Sequence, residues 1–331
     1  MTGLQTEKNI VRAFFAALET ADGPESQAVL DRFCVPDLPW RGVHPLGEVT
    51  GPGAIARTFW EPLRESLTGL QRRMDVFMAG RNALDPGGAV WVVSMGHFMG
   101  LFDAPWLGIM PTGKLTMMRY AEFHRVAAGR IMETALFVDI PGLMMQAGLQ
   151  PFPAQTGAQL IQPGPRTHDG LLFDAQEAGG SAKTLYLINA MIADLGQWDS
   201  GLSLEEELAR TWHDDMIWWG PAGIGATSTI ARYARQHSGP FRAGFTDRSK
   251  STHVCRFAEG TYGGFFGWPS FTARPTGGFM GMPATGKAGE FRVVDIYRRD
   301  GDKLAENWVF IDLLHFWKTQ GVDILARTVG I

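Results

Sequence analysis

A gapless internal repeat constrains this fold more than any other feature of the sequence. Residues 112–139 read TGKLTMMRYAEFHRVAAGRIMETALFVD, and residues 285–312 read TGKAGEFRVVDIYRRDGDKLAENWVFID. The offset between them is constant (285 − 112 = 173 and 312 − 139 = 173), and it holds without a gap to Gly148 and Gly321. Nine of these 37 pairs are identical. A repeat of this length predicts one supersecondary unit, two strands joined by a tight turn, that occurs twice.

The rest of each half follows a common order of predicted elements. Two helices come first, then a short strand, a third helix and a longer run of strands. The predicted helices and strands are 6–21, 25–34, 73–79 and 87–98 in the first half, and 182–195, a helix from Leu204, 251–258 and 261–271 in the second. Ser203, with Glu206 three residues later, predicts a capping box at the helix from Leu204.

Two short matches align the middle of the halves. Trp40 corresponds to Trp218 at an offset of 178 (218 − 40 = 178). The triplet Ile-Ala-Arg at 55–57 recurs at 230–232, at an offset of 175 (230 − 55 = 175). The smaller offset predicts that the loop between the two matches differs in length between the halves.

A stretch rich in Pro, Gly and Gln separates the halves. Residues 150–180 have no sustained period, which is typical of a linker, and a linker of this length is expected to cross a surface in an extended form. We therefore predict an α+β protein with one domain at 1–149, a linker at 150–180 and a second domain at 181–331.

Composition excludes several classes of function. A net charge of −4 over 331 residues offers no basic field for nucleic acid. The two cysteines do not support a disulfide framework, and no signal peptide or apolar run long enough for a membrane span is recognised, so a cytoplasmic location is expected. The histidines and acids lack the spacing of metal ligands, so no metal site is predicted.

The motifs around the repeat resemble those of a known family. The stretches GMPATGKAGEFRVVDIYRRDGDKLAENWVFIDLL and, more loosely, GIMPTGKLTMMRYAEFHRVAAGRIMET are similar to the SnoaL-like polyketide cyclases of the nuclear transport factor 2-like superfamily. The resemblance implies, for each half, a cone in which a curved antiparallel sheet wraps around about three helices and encloses an apolar cavity. It also implies an acid–base carboxylate on an inner strand and chemistry without a cofactor.

The resemblance assigns catalytic candidates residue by residue. The strand carboxylate falls on Asp295 and, in the first half, on Glu122 (295 − 173 = 122). The family histidines fall on His97 and on His44, which precedes Pro45. Ser270 stands at the position of His97 in the second half (97 + 173 = 270), and the histidine-proline pair is missing there. The first half thus keeps both imidazoles, whereas the second keeps the shorter carboxylate.

Strand periodicity supports the two acids independently. Side chains of one face recur at every second residue, so each acid shares its face mainly with apolar and aromatic groups. These neighbours are Phe291, Val293 and Tyr297 for Asp295, and Met118, Tyr120 and His124 for Glu122. Such surroundings are expected to raise the pKa of a carboxyl group and to prepare it for taking a proton from carbon α to a carbonyl. A histidine opposite the acid, His97 or His44, would polarise the carbonyl oxygen.

Other polar and aromatic residues receive more modest roles. The predicted lining of the substrate pockets comprises Trp40, Tyr120, Trp218, Val293 and Trp308. Asp139 and Asp312, at the ends of the last strands, are expected to cap the following turn or helix. Four arginines, Arg119, Arg125, Arg292 and Arg298, lie on the face opposite the acids and are expected to pair across an interface between the two sheets.

Three functional hypotheses stay open at the level of sequence. The first is cyclase, isomerase or dehydratase chemistry on a small apolar carbonyl compound. The second is a binding protein for a hydrophobic molecule, in which the acids and His97 only satisfy hydrogen bonds of the core. The third divides the labour between an active copy and a structural copy that pair as an intramolecular pseudo-dimer.

Overall fold

The chain forms two compact units, each with its own sheet. The structure is a computed structural model that describes residues 4–196 and 200–330. The first unit comprises the chain up to Leu149, Pro163–Ala175 and the segment from Leu325 onward; the second comprises Gln150–Gln162 and Gln176–Ile324.

In the first unit, helices precede the long strands, as predicted, and one short helix follows them. Its elements are α1 (Gln5–Thr20), α2 (Glu25–Phe33), β1 (Pro39–Gly42), β2 (Gly47–Thr50), α3 (Pro52–Ile55), a π-helical turn (Ala56–Trp60), α4 (Glu61–Ser66), β3 (Leu67–Arg81), β4 (Val90–Phe102), β5 (Leu115–Ala127), β6 (Arg130–Val138) and α5 (Ile140–Gln146).

The sheet of the first unit has the order β2-β1-β6-β5-β4-β3. β1 and β6 run parallel, and the other neighbouring strands run antiparallel. Glu122 pairs with Ser94 on one side and Leu136 on the other, so these three residues share one face. Phe14 and Phe15 of α1 are buried, and both rings lie within 5.6 Å of the His124 ring on that face.

The second unit repeats the order of elements. They are α6 (Ala178–Leu195), α7 (Leu204–Ala209), β7 (Trp212–Trp219), β8 (Ala226–Ser228), α8 (Ile230–Tyr233), a π-helical turn (Ala234–Ser238), α9 (Gly239–Gly244), β9 (Phe245–Thr246), β10 (Cys255–Glu259), β11 (Tyr262–Pro275), a 3₁₀ turn (Phe279–Gly281), β12 (Gly289–Asp300), β13 (Lys303–Ile311), α10 (Leu313–Thr319) and α11 (Ile324–Val329), the last of which lies mostly in the first unit.

The sheet of the second unit has the order β10-β11-β12-β13-β7-β8, with β9 paired to β11. β7 and β13 run parallel, as β1 and β6 do. β11 has a bulge between Gly267 and Phe271, whereas its counterpart β4 pairs continuously with β5. The bulge moves Ser270 out of the position that the sequence offset assigned to it. The predicted α+β class, with two separate and mostly antiparallel sheets, is confirmed.

The third helix does not follow the Ile-Ala-Arg match. α3 and α8, the π-helical turns after them, and α4 and α9 all begin 178 residues apart (230 − 52, 234 − 56 and 239 − 61). This is the offset of Trp40 and Trp218, so the loop does not change in length and the prediction that it does is wrong. The matching triplets lie three residues, about one helical turn, out of structural register.

Side chains at element ends behave largely as expected. Asp139 Oδ1 accepts a hydrogen bond from the backbone N–H of Gly142 (3.0 Å), and Asp312 Oδ1 accepts one from His315 (3.1 Å), which confirms both as helix caps. The capping box of Ser203 and Glu206 is also present.

The four arginines opposite the acids pair within their own units. Arg119 and Arg292 lie 3.9 and 3.7 Å from Asp139 and Asp312. Arg125 and Arg298 form ion pairs with the glutamates at 133 and 306 on the adjacent strands. Acids of the same repeat therefore supply countercharges that the sequence analysis had assigned to an interface.

Residues 150–175, most of the predicted linker, pack against the two units. Residues 150–162 belong to the second unit, where Ala158 forms a β-bridge with Ala226. Residues 163–175 belong to the first, where Leu171 bridges Phe77. Within residues 4–196 and 200–330, no helix has both the length and the apolar character that crossing a membrane requires.

Candidate functional site

A cavity of about 140 Å³ opens among the helices and the inner sheet face of the second unit. Most of its wall is apolar or aromatic; the rings come from Trp212, Trp218, Phe241, Phe265 and Phe271. Polar groups converge on it from β12, β13 and the π-helical turn. An apolar cavity with a few converging polar groups is the usual form of a small-molecule site.

Asp295 supplies the carboxyl group of this cavity. It stands in the middle of β12 and pairs with Val309, so the alternation of side chains brings Asp295, Tyr297 and Asn307 to the same face. Asn307 donates a hydrogen bond from Nδ2 to Asp295 Oδ1 at 3.1 Å, and the Tyr297 hydroxyl donates another. Asp295 forms no ion pair with any described residue.

The surroundings of Asp295 shift the pKa of its carboxyl group toward neutral pH. Burial raises the pKa of the Asp295 carboxyl group to about 6, although the hydrogen bonds from Asn307 and Tyr297 act in the opposite direction. The side chain is only partly accessible, at the wall of the cavity. A carboxyl group with this pKa is largely ionised at pH 7 and can still hold a proton once it has taken one.

Two tyrosines in the same cavity keep their protons. Burial, reinforced by the charge of Asp295, raises the pKa of Tyr233 and of Tyr297 above the usual phenol value. Both hydroxyls are therefore hydrogen-bond donors at neutral pH.

An imidazole that the sequence analysis did not single out also lines the cavity. His237 lies in the π-helical turn and stacks on Trp218, with ring centroids 4.0 Å apart and planes at 19°. Its ring lies 5.4 Å from that of Tyr233. Burial lowers the pKa of His237 to about 3, so the ring is neutral. The spacing of Tyr233 and His237, four residues on one helical face, was the available signal.

Basic residues and a second imidazole complete the wall. Arg242 forms hydrogen bonds of 3.2 and 2.5 Å to the carboxylate of Glu207, and Arg248 lies 4.4 Å above the Phe271 ring. His253 stacks on Phe265 at 3.9 Å, and burial, followed by nearby arginines, lowers its pKa to about 3. Strand periodicity did not identify these residues because their segment precedes the repeat.

The equivalent site of the first unit is occupied by an ion pair. Arg72 Nη1 lies 2.8 Å from Glu122 Oε2, and His124 Nε2 lies 3.6 Å from Oε1. Burial by itself would raise the pKa of Glu122, but Arg72 and then His124 hold it below its usual value. The expectation of a raised pKa is therefore confirmed for Asp295 and wrong for Glu122.

Aromatic rings fill the space around this ion pair. The Arg72 guanidinium lies 3.8 Å from the Phe15 ring centroid, 4.7 Å from Tyr120 and 4.9 Å from Phe98. Tyr120 stacks on Phe98 at 4.4 Å and hydrogen-bonds with Ser94 at 2.7 Å. The space left beside Arg72 is about 10 Å³, the size of one water molecule. Tyr120 is thus a packing residue in this unit.

Of the two histidines predicted for the first unit, His97 does not face Glu122. His97 pairs with Arg119, so it projects from the opposite face, where its Nδ1 lies 3.3 Å from Asp75 Oδ2. The expectation that His97 lies across from Glu122 is wrong. The residue of β4 that pairs with Glu122 is Ser94, and His97, three positions further along the strand, projects from the other face of the sheet. His44 lies in the turn between β1 and β2 and is half-buried.

The predicted pocket residues divide in the same way. Trp218 and Val293 line the cavity of the second unit. Trp308 is buried on the other face of β13, since it pairs with Ile296 and not with Asp295, so its assignment to the pocket is wrong. Trp40 is buried in the core of the first unit against Phe59, at 6.1 Å between centroids.

Within residues 4–196 and 200–330, no group of three or more His, Cys, Asp or Glu side chains is positioned to hold a metal ion. The polar groups that line the cavity of the second unit include a carboxyl group, two phenols, two neutral imidazoles, two arginines, an amide and three serine hydroxyls.

One known protein family matches part of the second unit. The family model of the SnoaL-like polyketide cyclases matches residues 206–318. A search of curated proteins gave no match.

Several solved structures are similar to part of the chain. One is a candidate SnoaL-like polyketide cyclase from Jannaschia sp. CCS1 (21% identity, 43% of this chain and 91% of that chain, TM-score 0.34). A second is an NTF2-like protein from Burkholderia thailandensis E264 (23%, 45% and 100%, TM-score 0.33). A third is TsrD from Streptomyces laurentii (22%, 45% and 96%, TM-score 0.32).

The family match covers the strands that carry Asp295, Tyr297 and Asn307 and the helical turn that carries His237. The part of this chain that carries the cavity residues is therefore the part that matches the SnoaL-like polyketide cyclase family.

Proposed function

We propose that the second unit is an acid–base enzyme of the cyclase or isomerase type, which acts on a small apolar carbonyl compound through Asp295 and needs no cofactor. The observation that carries the proposal is a carboxyl group with a pKa of about 6, at the wall of an aromatic cavity, without an ion-pair partner in the described chain. The equivalent acid of the first unit, Glu122, is instead neutralised by Arg72.

The chemical step is a proton transfer from carbon. One carboxylate oxygen of Asp295 takes a proton from the carbon α to the carbonyl group. The electron pair of the broken C–H bond forms the C=C bond of the enolate, and the π pair of the C=O bond moves to the oxygen. Where a C=C bond adjoins the α carbon, the product of this step is a dienolate; the protonated Asp295 can then return the proton to the γ carbon, which shifts the C=C bond into conjugation with the carbonyl group and completes an isomerisation. Alternatively, the enolate carbon attacks a second carbonyl group, and Asp295 protonates the resulting alkoxide, which closes a ring.

Hydrogen-bond donors keep Asp295 usable as a base. Asn307 and Tyr297 both stabilise the ionised form, so they prevent burial from raising the pKa far above neutrality. They also fix the orientation of the carboxylate on the strand.

We further propose that the first unit is a structural copy. The space beside the Glu122–Arg72 ion pair is too small for a substrate, and Arg72 holds Glu122 in its ionised form. In this proposal Glu122, His97 and His44 therefore have no role in the reaction. Pairing of the two units as an intramolecular pseudo-dimer and a cytoplasmic location also stay predictions, which chemical cross-linking and cell fractionation would test.

A second candidate function is non-catalytic binding of a hydrophobic molecule. The aromatic wall of the cavity favours this alternative, because stacking rings hold flat apolar ligands without any chemistry. It predicts ligand retention by the purified protein, with no turnover.

Exchange of carbon-bound protons separates the two functions. With 2-tetralone as probe in deuterated buffer at pH 7.5, the protein should accelerate loss of the C1 proton signals in NMR above the buffer rate. Asp295→Asn should abolish the acceleration, whereas Asp214→Asn, which makes the same change at an exposed residue of β7, should not. Binding of 2-tetralone without accelerated exchange would support the binding protein and contradict the enzyme.

A further inference from the structure

The position of His237 differs between the two units in one chemically decisive way. At the structural offset of 178, His237 corresponds to Phe59 (237 − 59 = 178). Phe59 packs beside Trp40, as His237 stacks on the equivalent Trp218. The first unit, whose site is filled by side chains, thus has a phenyl ring at this position. The second unit, which has the cavity, has a ring that can form hydrogen bonds.

The two ring nitrogens of His237 have different surroundings. Nδ1 is sealed from solvent and has no hydrogen-bond partner. Nε2 is not among the sealed atoms, and the side chain is only half-buried where it lines the cavity. A π-helical turn is a common device at functional sites, since it changes the direction in which one helical side chain points.

The surroundings also select one tautomer. A buried N–H without an acceptor is more costly than a buried nitrogen lone pair without a donor. The neutral ring therefore places its hydrogen on Nε2, the nitrogen that can reach the cavity. The rings of Trp218, Tyr233 and Phe241 enclose the imidazole, and burial among them holds its pKa near 3.

We propose that the neutral Nε2–H of His237 is the hydrogen-bond donor that binds the carbonyl oxygen of the substrate and stabilises the enolate formed when Asp295 takes the proton. This inference rests on the proposed function of Asp295. A neutral donor suits the task because it stabilises the developing charge without giving up its own proton. The titratable groups that line the same cavity are Tyr233, Arg242, Arg248, His253, Asp295 and Tyr297.

His237→Phe is the sharpest substitution, because it installs the ring that the first unit has at the same position. It should preserve stacking on Trp218 and slow the maximal rate of proton exchange by about 100- to 1000-fold, the usual effect of removing one oxyanion donor, with a smaller change in KM. His237→Gln, which retains a neutral donor, should recover part of that rate. A maximal rate in His237→Phe that stays within about threefold of the parent protein would overturn the proposal, and activity lost in Asp295→Asn alone would then leave the proposed function standing.

Two measurements test His237 whether or not 2-tetralone is turned over. Nitrogen-15 NMR of the labelled parent protein should show neutral His237 with hydrogen on Nε2 from pH 5 to 8; hydrogen on Nδ1, or protonation of both nitrogens near pH 6, would refute the assignment. 2-Naphthol, whose hydroxyl mimics the enol, should bind at least about tenfold more weakly to His237→Phe than to the parent protein or His237→Gln. Equal affinity in all three proteins would count equally against a donor at this position.

Discussion

Glu122 and Asp295 occupy equivalent positions in the two sheets. Glu122 lies opposite Leu136 and Asp295 lies opposite Val309; the two acids are 173 residues apart (295 − 122 = 173), and so are their two partners (309 − 136 = 173). Their electrostatic states nevertheless differ. Glu122 lies 2.8 Å from a buried arginine, whereas Asp295 receives hydrogen bonds from an amide and a phenol. The placement of one cation therefore separates a structural acid from a candidate base.

The charge of Asp295 should cost the second unit stability. Because the pKa of this carboxyl group rises from 3.8 to about 6 on folding, the folded state holds its proton more tightly than the unfolded state. The group therefore imposes no cost below pH 4; the cost grows between pH 4 and 6 and is complete above that. Asp295→Asn should raise the free energy of unfolding by about 1–3 kcal/mol at pH 8 and by almost nothing at pH 4. Urea unfolding at both pH values measures this, and a stabilisation independent of pH would contradict the buried-charge explanation.

Breaking the ion pair of the first unit should be far more damaging. Arg72→Met leaves the carboxylate of Glu122 buried without its cation, which typically costs about 3–5 kcal/mol. The double variant Arg72→Met/Glu122→Gln should recover most of that loss, because both charges are then gone. Urea unfolding of the two variants tests the coupling. Equal losses in the single and the double variant would show that packing, and not charge, holds this site together.

Asn307 should tune the base without taking part in proton transfer. Its amide lowers the pKa of Asp295, so Asn307→Leu should raise the midpoint of the pH–rate profile for exchange by about one unit. Thr134→Val, a similar loss of a hydrogen-bonding group at the equivalent position of the first unit, should leave the midpoint unchanged. An unchanged midpoint in Asn307→Leu would exclude this hydrogen bond as a determinant of the Asp295 pKa.

Val293 should keep the cavity open. The residue at its repeat position is Tyr120, whose ring fills the corresponding space in the first unit. Val293→Tyr should therefore obstruct the cavity and weaken 2-naphthol binding by more than about tenfold, while Val293→Ile should have a much smaller effect. Isothermal titration calorimetry measures both affinities, and undiminished binding to Val293→Tyr would place the ligand elsewhere.

The sequence supported the fold and the position of Asp295 because both depend on local periodicity. A gapless repeat indicates a repeated hairpin, and parity alone places Asp295 on a face with apolar neighbours. Partners that are distant in sequence escaped this reasoning. Arg72 lies 50 residues before Glu122 (122 − 72 = 50), and nothing local announces their ion pair.

Register explains the remaining differences. The bulge of β11 displaces Ser270, and the Ile-Ala-Arg triplets match by letter while lying one turn apart in structure. That false match obscured the correspondence between Phe59 and His237. The imidazole that the strands of the second half lack therefore comes from a helical turn.

The pH dependence of 2-tetralone exchange tests the central claim most directly. If Asp295 is the base, the catalysed rate should rise with pH, reach half of its maximum near pH 6 and stay level above pH 7, and Asp295→Asn should retain only the buffer rate. A catalysed rate that does not change between pH 5 and 7, or a catalysed rate that persists in Asp295→Asn, would contradict the account.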